Sequence, residues 1–170
     1  MKIIQLLIII LSFIGFAACT PSEVASFPPE IQVDSIKVDS VILSIDSIDP
    51  TGNIVLDTIS VGKIVIFSLN LQGYYNNLDS FYLTNSDTSA VKSLYVIKNL
   101  EDNFSGTKSL FFKGKFIFLP KIKSNMFTFG YQAKKATNDL SIDMILFSDV
   151  IFEDKKLTNA DTLKFKMVIK

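Results

Sequence analysis

A period-two alternation of apolar and polar side chains constrains this chain more than any other feature, and it runs from residue 31 to residue 170. Residues 162–169 read Thr-Leu-Lys-Phe-Lys-Met-Val-Ile, and residues 40–46 alternate in the same way. Successive side chains of a strand point to opposite faces, so such segments have one buried face and one solvated face. No window combines a helical period with capping residues, and one helical turn is allowed only at residues 137–139. We therefore predict an all-β fold.

Turn residues divide the alternating region into short strands. Residues 49–53, Asp-Pro-Thr-Gly-Asn, are the strongest turn signal. Short strands at this spacing favour one antiparallel β-sandwich, which we expect to be immunoglobulin-like, with eight to ten strands over residues 31–170. The predicted strands are 31–38, 40–47, 53–59, 62–72, 78–84, 92–98, 108–119, 126–133, 139–148 and 162–169.

Three segments are apolar on both faces: 63–71, 115–119 and 144–147. A strand with two apolar faces lies in the centre of a sheet or beneath a covering loop.

The first 19 residues carry a different pattern. Lys2 precedes an apolar run from Ile3 to Ala18, and Cys19, the single cysteine of the chain, follows directly. A short basic start, an apolar run and small residues before the break are typical of a secretory signal peptide. Phe16-Ala17-Ala18-Cys19 resembles the lipobox of bacterial lipoproteins. The resemblance implies that residues 1–18 are removed and that lipid on Cys19 anchors the protein to a membrane.

The alternative is a transmembrane anchor that stays attached. The run from Ile3 to Ala18 is shorter than the roughly 20 residues that cross a hydrocarbon core of about 30 Å, which favours the lipoprotein interpretation. Residues 19–30 contain Pro and Ser without periodicity, so we predict a lipidated tether there.

Composition excludes several kinds of chemistry. The chain has no Arg, and 17 Lys balance 17 acidic residues, which argues against nucleic-acid binding. It has no His, so a Ser-His-Asp triad is impossible, and its one thiol is assigned to lipid. We predict no enzyme and no cofactor. A hydrolase that uses two carboxylates is less favoured, because no carboxylate pair stands out.

Two groups of side chains are weak candidates for ligand binding. Asp46, Asp49 and Asn53 offer oxygen ligands for calcium around the Pro-Gly turn, although such residues more often stabilise the turn itself. Tyr74 and Tyr75 are candidates for stacking on a glycan. Tyrosine is also simply a common strand residue, as the other tyrosines Tyr82, Tyr95 and Tyr131 illustrate.

Asp followed by Ser or Thr and then an aliphatic residue occurs five times, with hydroxyls at Ser35, Ser40, Ser47, Thr58 and Thr162. The pattern resembles the O-glycosylation acceptor of exported Bacteroidota proteins, and it also fits ordinary strand alternation. By strand phase Ser40 and Thr162 point to solvent, whereas Ser35, Ser47 and Thr58 share the phase of apolar residues.

Dispersed lysines, among them Lys121, Lys123, Lys134, Lys135, Lys155 and Lys156, are explained better by solubility than by an anionic surface. Taken together, the leader and the acceptor pattern resemble those of a small Bacteroidota envelope lipoprotein, and Thr20 after the cysteine resembles an outer-membrane sorting signal. We therefore expect a non-catalytic module that binds another envelope protein or a glycan. The alternative is a lipid-handling protein with an acyl-chain cavity.

We predict that Cys19→Ser leaves the leader uncut or releases a soluble protein, because no thiol remains to accept lipid. Membrane fractionation and intact mass check this outcome. A Cys19→Ser chain that is shortened and still sediments with membranes would place the anchor elsewhere.

Overall fold

Ten strands form the framework of the computed structural model, which describes residues 27–43, 49, 52–95, 100, 102–151 and 158–170. One short 3-10 helix, Phe111–Lys113, lies between the sixth and seventh strands. The strands are β1 (Glu30–Val38), β2 (Val41–Ile42), β3 (Ile54–Val55), β4 (Ile64–Gln72), β5 (Leu78–Asn85), β6 (Val91–Tyr95), β7 (Lys115–Ile117), β8 (Ser124–Ala133), β9 (Thr137–Ser148) and β10 (Ala160–Ile169).

The strands form two sheets of five, which pack face to face. The first sheet has the order β2-β1-β4-β8-β6, and the second has the order β3-β10-β9-β5-β7. Seven strands taken in chain order as A to G (β1, β4, β5, β6, β8, β9 and β10) give ABED in one sheet and GFC in the other. That arrangement is the immunoglobulin topology, and the main pairings are antiparallel. The predicted immunoglobulin-like sandwich is confirmed.

Aromatic rings fill the space between the two sheets. Phe67 of β4 stacks on Phe129 of β8 with ring centroids 4.9 Å apart, and Phe165 of β10 meets Phe67 edge-on at 5.1 Å from the opposite sheet. Phe67 and Phe165 are 0% exposed, and Phe129 is 2% exposed. Burial of each ring contributes roughly 1.5–3 kcal/mol, so the predicted alternation provides the contacts that join the sheets.

The three segments that are apolar on both faces have different environments. β4 and β9 lie in the middle of their sheets, as expected of central strands. The segment 115–119 instead contains the edge strand β7 (Lys115–Ile117), and the preceding loop pairs with it through isolated bridges from Phe104 to Phe118 and from Leu110 to Lys115. At this edge of the sheet, the loop before β7 therefore takes the place of a neighbouring strand.

Several strand boundaries were predicted wrongly. The predicted strand 108–119 begins only at Lys115, because Gly114 takes a left-handed conformation (φ 69°) that ends the 3-10 helix. The helical turn allowed at 137–139 is the start of β9. The predicted strand 53–59 is reduced to β3 and a bridge from Ile59 to Ile169. Residues 44–47 and 96–98 of two other predicted strands lie outside the described residues.

A bulge in β1 changes the face on which its side chains lie. The pairing with β4 shifts between Val33 and Ser35, so that Ser35 lies opposite Ser68 on the outer face. The prediction that Ser35 shares the phase of Val33 is therefore wrong, because the bulge inserts one residue and reverses the alternation.

The folded part begins inside the predicted tether. Glu30 opens β1 and Pro29 is buried. The Asn76 side-chain amide donates a hydrogen bond of 3.1 Å to the Phe27 carbonyl. The last four residues of the predicted tether 19–30 therefore belong to the domain.

We predict that Phe165→Ala lowers the free energy of unfolding by about 3–5 kcal/mol, because it opens a cavity beside Phe67 in the centre of the sandwich. Urea denaturation measures the loss. Thr162→Ala on the outer face of the same strand is the matched control and should change stability by less than about 0.5 kcal/mol. A loss below about 1 kcal/mol at Phe165 would contradict the assigned strand faces.

Candidate functional site

An apolar groove crosses the outer face of the first sheet, where β4, β8 and β6 lie side by side. Gly130 of β8 pairs with Ile66 on one side and with Leu94 on the other, so a position without a side chain separates two apolar walls. A Cβ placed on Gly130 would lie 3.7 Å from Ile64 and 3.7 Å from Leu94. The groove has a volume of about 440 Å³. Its main lining residues are Ile64, Ile66, Leu94, Phe112, Thr128 and Gly130.

Phe112 lines one side of the groove from the 3-10 helix, and its side chain is 89% exposed. The helix is held by Gly114, whose backbone packs so closely on β5 that a Cβ there would lie 1.8 Å from the Leu83 carbonyl oxygen. The Leu83 N–H also donates to the Gly114 carbonyl at 2.8 Å. Only glycine fits this approach and the positive φ, and this contact positions Phe112 beside the groove.

The other half of the same sheet face is polar. The Gln32 side-chain amide donates to the Glu30 carboxylate at 3.0 Å and accepts from Asn70 at 3.1 Å. The Gln72 side-chain amide then donates to Asn70 at 2.7 Å. These side chains satisfy one another, and the groove around Gly130 lies in the other half of the sheet face.

Nothing in the groove lining is charged, and the polar side chains of the lining are the hydroxyls of Ser93, Thr128 and Tyr95. β6, on one side of the groove, is the edge strand of its sheet. Edge strands carry backbone N–H and C=O groups on which a further extended segment can pair. The arrangement is suited to apolar side chains presented by another chain.

Sequence analysis missed this groove. The signal was Gly130, a glycine inside an otherwise apolar strand, which often marks a place where another group approaches closely. Ile64 and Ile66 were recognised only as part of a segment that is apolar on both faces. Their neighbours across the sheet depend on strand order, which the alternation leaves open.

Tyr74 and Tyr75 form an exposed aromatic cluster with Phe27, a residue of the predicted tether. The Phe27 ring centroid lies 5.9 Å from that of Tyr74 and 6.3 Å from that of Tyr75. The three side chains are 42–60% exposed. Tyr74 has a left-handed backbone (φ 56°) in the turn between β4 and β5, a conformation that non-glycine residues adopt uncommonly.

The other tyrosines lie elsewhere. Tyr82 is on the outer face of the second sheet, where its ring meets Phe147 edge-on at 5.8 Å and Lys115 lies 5.8 Å above it. Burial raises the pKa of both Tyr95 and Tyr131, and the Tyr95 phenol raises that of Tyr131 further. The tyrosines therefore do not combine into one platform.

The calcium candidates take part in a turn. The Asp49 carboxylate accepts hydrogen bonds from the Asn53 backbone N–H at 2.9 Å and from its side-chain amide at 2.9 and 3.1 Å. Lys166 Nζ also lies 3.2 Å from Asp49, and Asp46 is outside the described residues. No cluster of three or more potential metal-ligating side chains occurs among the residues that the structure describes. The contacts fit the turn-stabilising alternative.

Among the described residues, the carboxyl groups with a shifted pKa do not resemble a general acid. A hydrogen bond from Lys63, together with the Ile64 N–H, lowers the pKa of Asp39. Hydrogen bonds from Ser89 lower the pKa of Asp87. A two-carboxylate hydrolase needs the opposite shift, a raised pKa on its acid.

The acceptor hydroxyls differ in exposure. Ser40 is exposed in the turn between β1 and β2 rather than in a strand, and Thr162 is exposed on β10. Thr58 is also exposed, because β3 ends at Val55 before the alternation reaches it. Ser35 is half-buried. Ser47 and the lipidation candidate Cys19 lie outside the described residues.

Comparisons with known proteins add little. No protein-family model and no curated protein matches the chain. Among solved structures, domains 4 and 5 of the S-layer protein SbsC are 12% identical with a TM-score of 0.34 over 82% of this chain, which spans 46% of that structure. PapD-like domain 7 of human CEP192 is 10% identical with a TM-score of 0.32 over 89% of each chain. The fold therefore rests on its own strand order. No helix among the described residues is long and apolar enough to cross a membrane.

We predict sugar on Ser40, Thr58 and Thr162, whose hydroxyls are exposed, and none on half-buried Ser35. Intact mass of protein from the native host, followed by peptide mapping, measures this, and the same chain with these three residues changed to Ala is the control. An unmodified mass would contradict the prediction, and sugar confined to Ser35 would contradict the role given to exposure.

Proposed function

We propose that the chain is a non-catalytic lipoprotein of the cell envelope, held in the outer membrane by lipid on Cys19, and that its groove binds an apolar segment of another envelope protein. The observation that carries this proposal is the groove around Gly130, with the exposed Phe112 beside it. Binding sites are typically concave and mostly apolar with a few polar groups in their walls, and the groove has this composition.

The chemistry of the lining supports a protein partner over a glycan. Sugar hydroxyls need several converging hydrogen-bond groups, whereas Ile64, Ile66, Leu94 and Phe112 offer none from their side chains. An extended peptide matches better. Its alternate side chains can enter the groove while its backbone pairs with the edge strand β6.

The position of the groove also supports the proposal. Glu30, at the start of β1, pairs with Gln72 at the end of β4. Ile66 lies six residues back along β4, about 20 Å from that end. The groove is therefore in the half of the domain away from the predicted lipid, where a partner has room to approach.

The interior of the sandwich favours this function over the alternative of an acyl-chain carrier. Carriers need an apolar cavity between their layers. Phe67, Phe129 and Phe165 instead occupy the centre at close ring distances. A lipid bound in the surface groove would instead appear as a lipid adduct in a crosslinking experiment at position 112.

A photo-crosslinking residue at position 112 of the full chain in cells tests the proposal. We expect a discrete adduct with one envelope protein, because the exposed Phe112 side chain borders the groove and its replacement removes no core packing. The adduct should disappear with Ile66→Asp, which places a charge in the groove wall, in a variant that circular dichroism and cooperative thermal unfolding show to be folded.

Two controls make the experiment specific. Met126→Asp lies on the same sheet face, is 62% exposed and is four residues from Gly130, so it should leave the adduct intact. A crosslinker at Ile151, which is 93% exposed at the other end, should give a different pattern. Identical adducts from both positions, an adduct that survives Ile66→Asp, or a lipid adduct in place of protein would refute the proposed partner.

A further inference from the structure

The aromatic cluster of Phe27, Tyr74 and Tyr75 lies at the end of the sandwich from which the tether leaves. The Asn76 amide fixes the Phe27 backbone at 3.1 Å, and the rings of both tyrosines flank the Phe27 ring. The first described residue of the chain is thus bound to the turn between β4 and β5. The path from the membrane to the domain must arrive at this cluster.

Two further segments reach the same end. The Gly73 N–H donates to the Lys123 carbonyl at 2.7 Å, which joins the loop before β8 to the turn that carries the tyrosines. The Asp149 N–H donates to the Asn77 carbonyl at 2.9 Å, which joins the end of β9 to it. Two residues beyond Asp149, Ile151 exposes 93% of its surface. Aromatic and aliphatic groups therefore share one exposed end.

The charged side chains at this end differ in whether they form hydrogen bonds or ion pairs. The carboxylate of Glu30 accepts hydrogen bonds from Tyr74 and Gln32, and the Asp149 carboxylate accepts two from Asn77. Two lysines of this end, Lys121 and Lys123, are exposed and form no ion pair with any described residue.

The length of the tether limits the orientations that the domain can adopt relative to the membrane. Eight residue steps separate Cys19 from Phe27, so even full extension reaches at most about 29 Å. The ten residues of β8 span about 33 Å. Because the tether is shorter than the domain, it holds the aromatic end nearer to the membrane than the opposite end.

We propose that this end docks on the membrane, with Phe27, Tyr74 and Tyr75 in the headgroup region of the leaflet that holds the Cys19 lipid and Lys121 and Lys123 at its phosphates. The inference rests on the lipid anchor of the proposed function. Aromatic rings with one apolar and one polar end favour this interface. Tyr74 has a left-handed backbone, a conformation in which glycine or asparagine is usual. A tyrosine at such a position is consistent with a functional role for its ring.

The tether makes weak docking sufficient. A linked second contact is intramolecular, and a short linker gives it an effective concentration in the millimolar range. Three partly exposed rings without a tether would bind a membrane only transiently. With the tether they fix the orientation of the domain and keep the groove around Gly130 turned away from the lipid.

Depth-dependent fluorescence quenching of the full lipidated chain tests the docking. The mature chain has no other thiol, so a dye can be placed on Ile151→Cys at the aromatic end or on Val41→Cys at the opposite end, where Val41 is 66% exposed. The protein is reconstituted into phosphatidylcholine–phosphatidylglycerol vesicles that carry a headgroup quencher. We expect the dye at position 151 to be quenched several-fold more than the dye at position 41.

A double substitution separates docking from the tether alone. Tyr74→Ser with Tyr75→Ser, both at exposed positions, should reduce quenching at position 151 towards the level at position 41 without changing the melting temperature. Ile42→Ser with Val61→Ser removes comparably exposed apolar groups (66% and 47%) at the opposite end and should leave the quenching unchanged.

The outcomes distinguish the two proposals. A full chain that does not float with the vesicles overturns the Cys19 anchor and the docking together. A chain that floats but is quenched equally at positions 41 and 151, or whose quenching survives the tyrosine substitutions, overturns the docking and leaves the anchor intact.

Discussion

The contact between the inner aromatic rings of the two sheets supports every other feature of the domain. Phe67 and Phe129 belong to the first sheet and Phe165 to the second. The ring centroids of Phe67 and Phe129 are 4.9 Å apart and those of Phe67 and Phe165 are 5.1 Å apart, so the rings form one packed layer between the sheets. The single cysteine precludes an intrachain disulfide, so packing carries the fold. Because this layer is continuous, the outer sheet faces and the loops are free to carry function.

Most of the fold followed from alternation, and the errors have a common physical origin. Alternation identifies a strand wherever one face is buried, as in β10, where Phe165 and Met167 are buried and Thr162 is exposed. Alternation does not predict the strand correctly where a tertiary contact overrides the local preference of the backbone. Gly114 ends a predicted strand because its backbone lies against Leu83, and a bulge after Val33 reverses the phase of Ser35. Neither event has a periodic signal in the sequence.

The candidate sites were harder to predict than the fold, since each depends on which strands become neighbours. Tyr74 and Tyr75 were recognisable as a pair, but their partner Phe27 lies in a segment that composition assigns to the tether. The groove needed Ile66, Gly130 and Leu94 to fall in one row across three strands. Sheet order fixes that row, and the alternation of apolar and polar residues does not determine sheet order. The local pattern therefore predicts which face of a strand is exposed, and the topology decides which exposed faces become neighbours.

The direction of β4 connects the two surfaces mechanically. Its end at Gln72 lies beside the start of β1 and leads into the turn of Tyr74, while its beginning at Ile64 forms one wall of the groove. A stiff strand at the centre of its sheet keeps the two surfaces at a fixed separation of about 25 Å. If the aromatic end is held at the membrane, the same strand sets the height and orientation at which the groove meets a partner. Docking then stabilises partner binding without any contact between the two sites, because it removes rotational freedom that the complex would otherwise lose on forming.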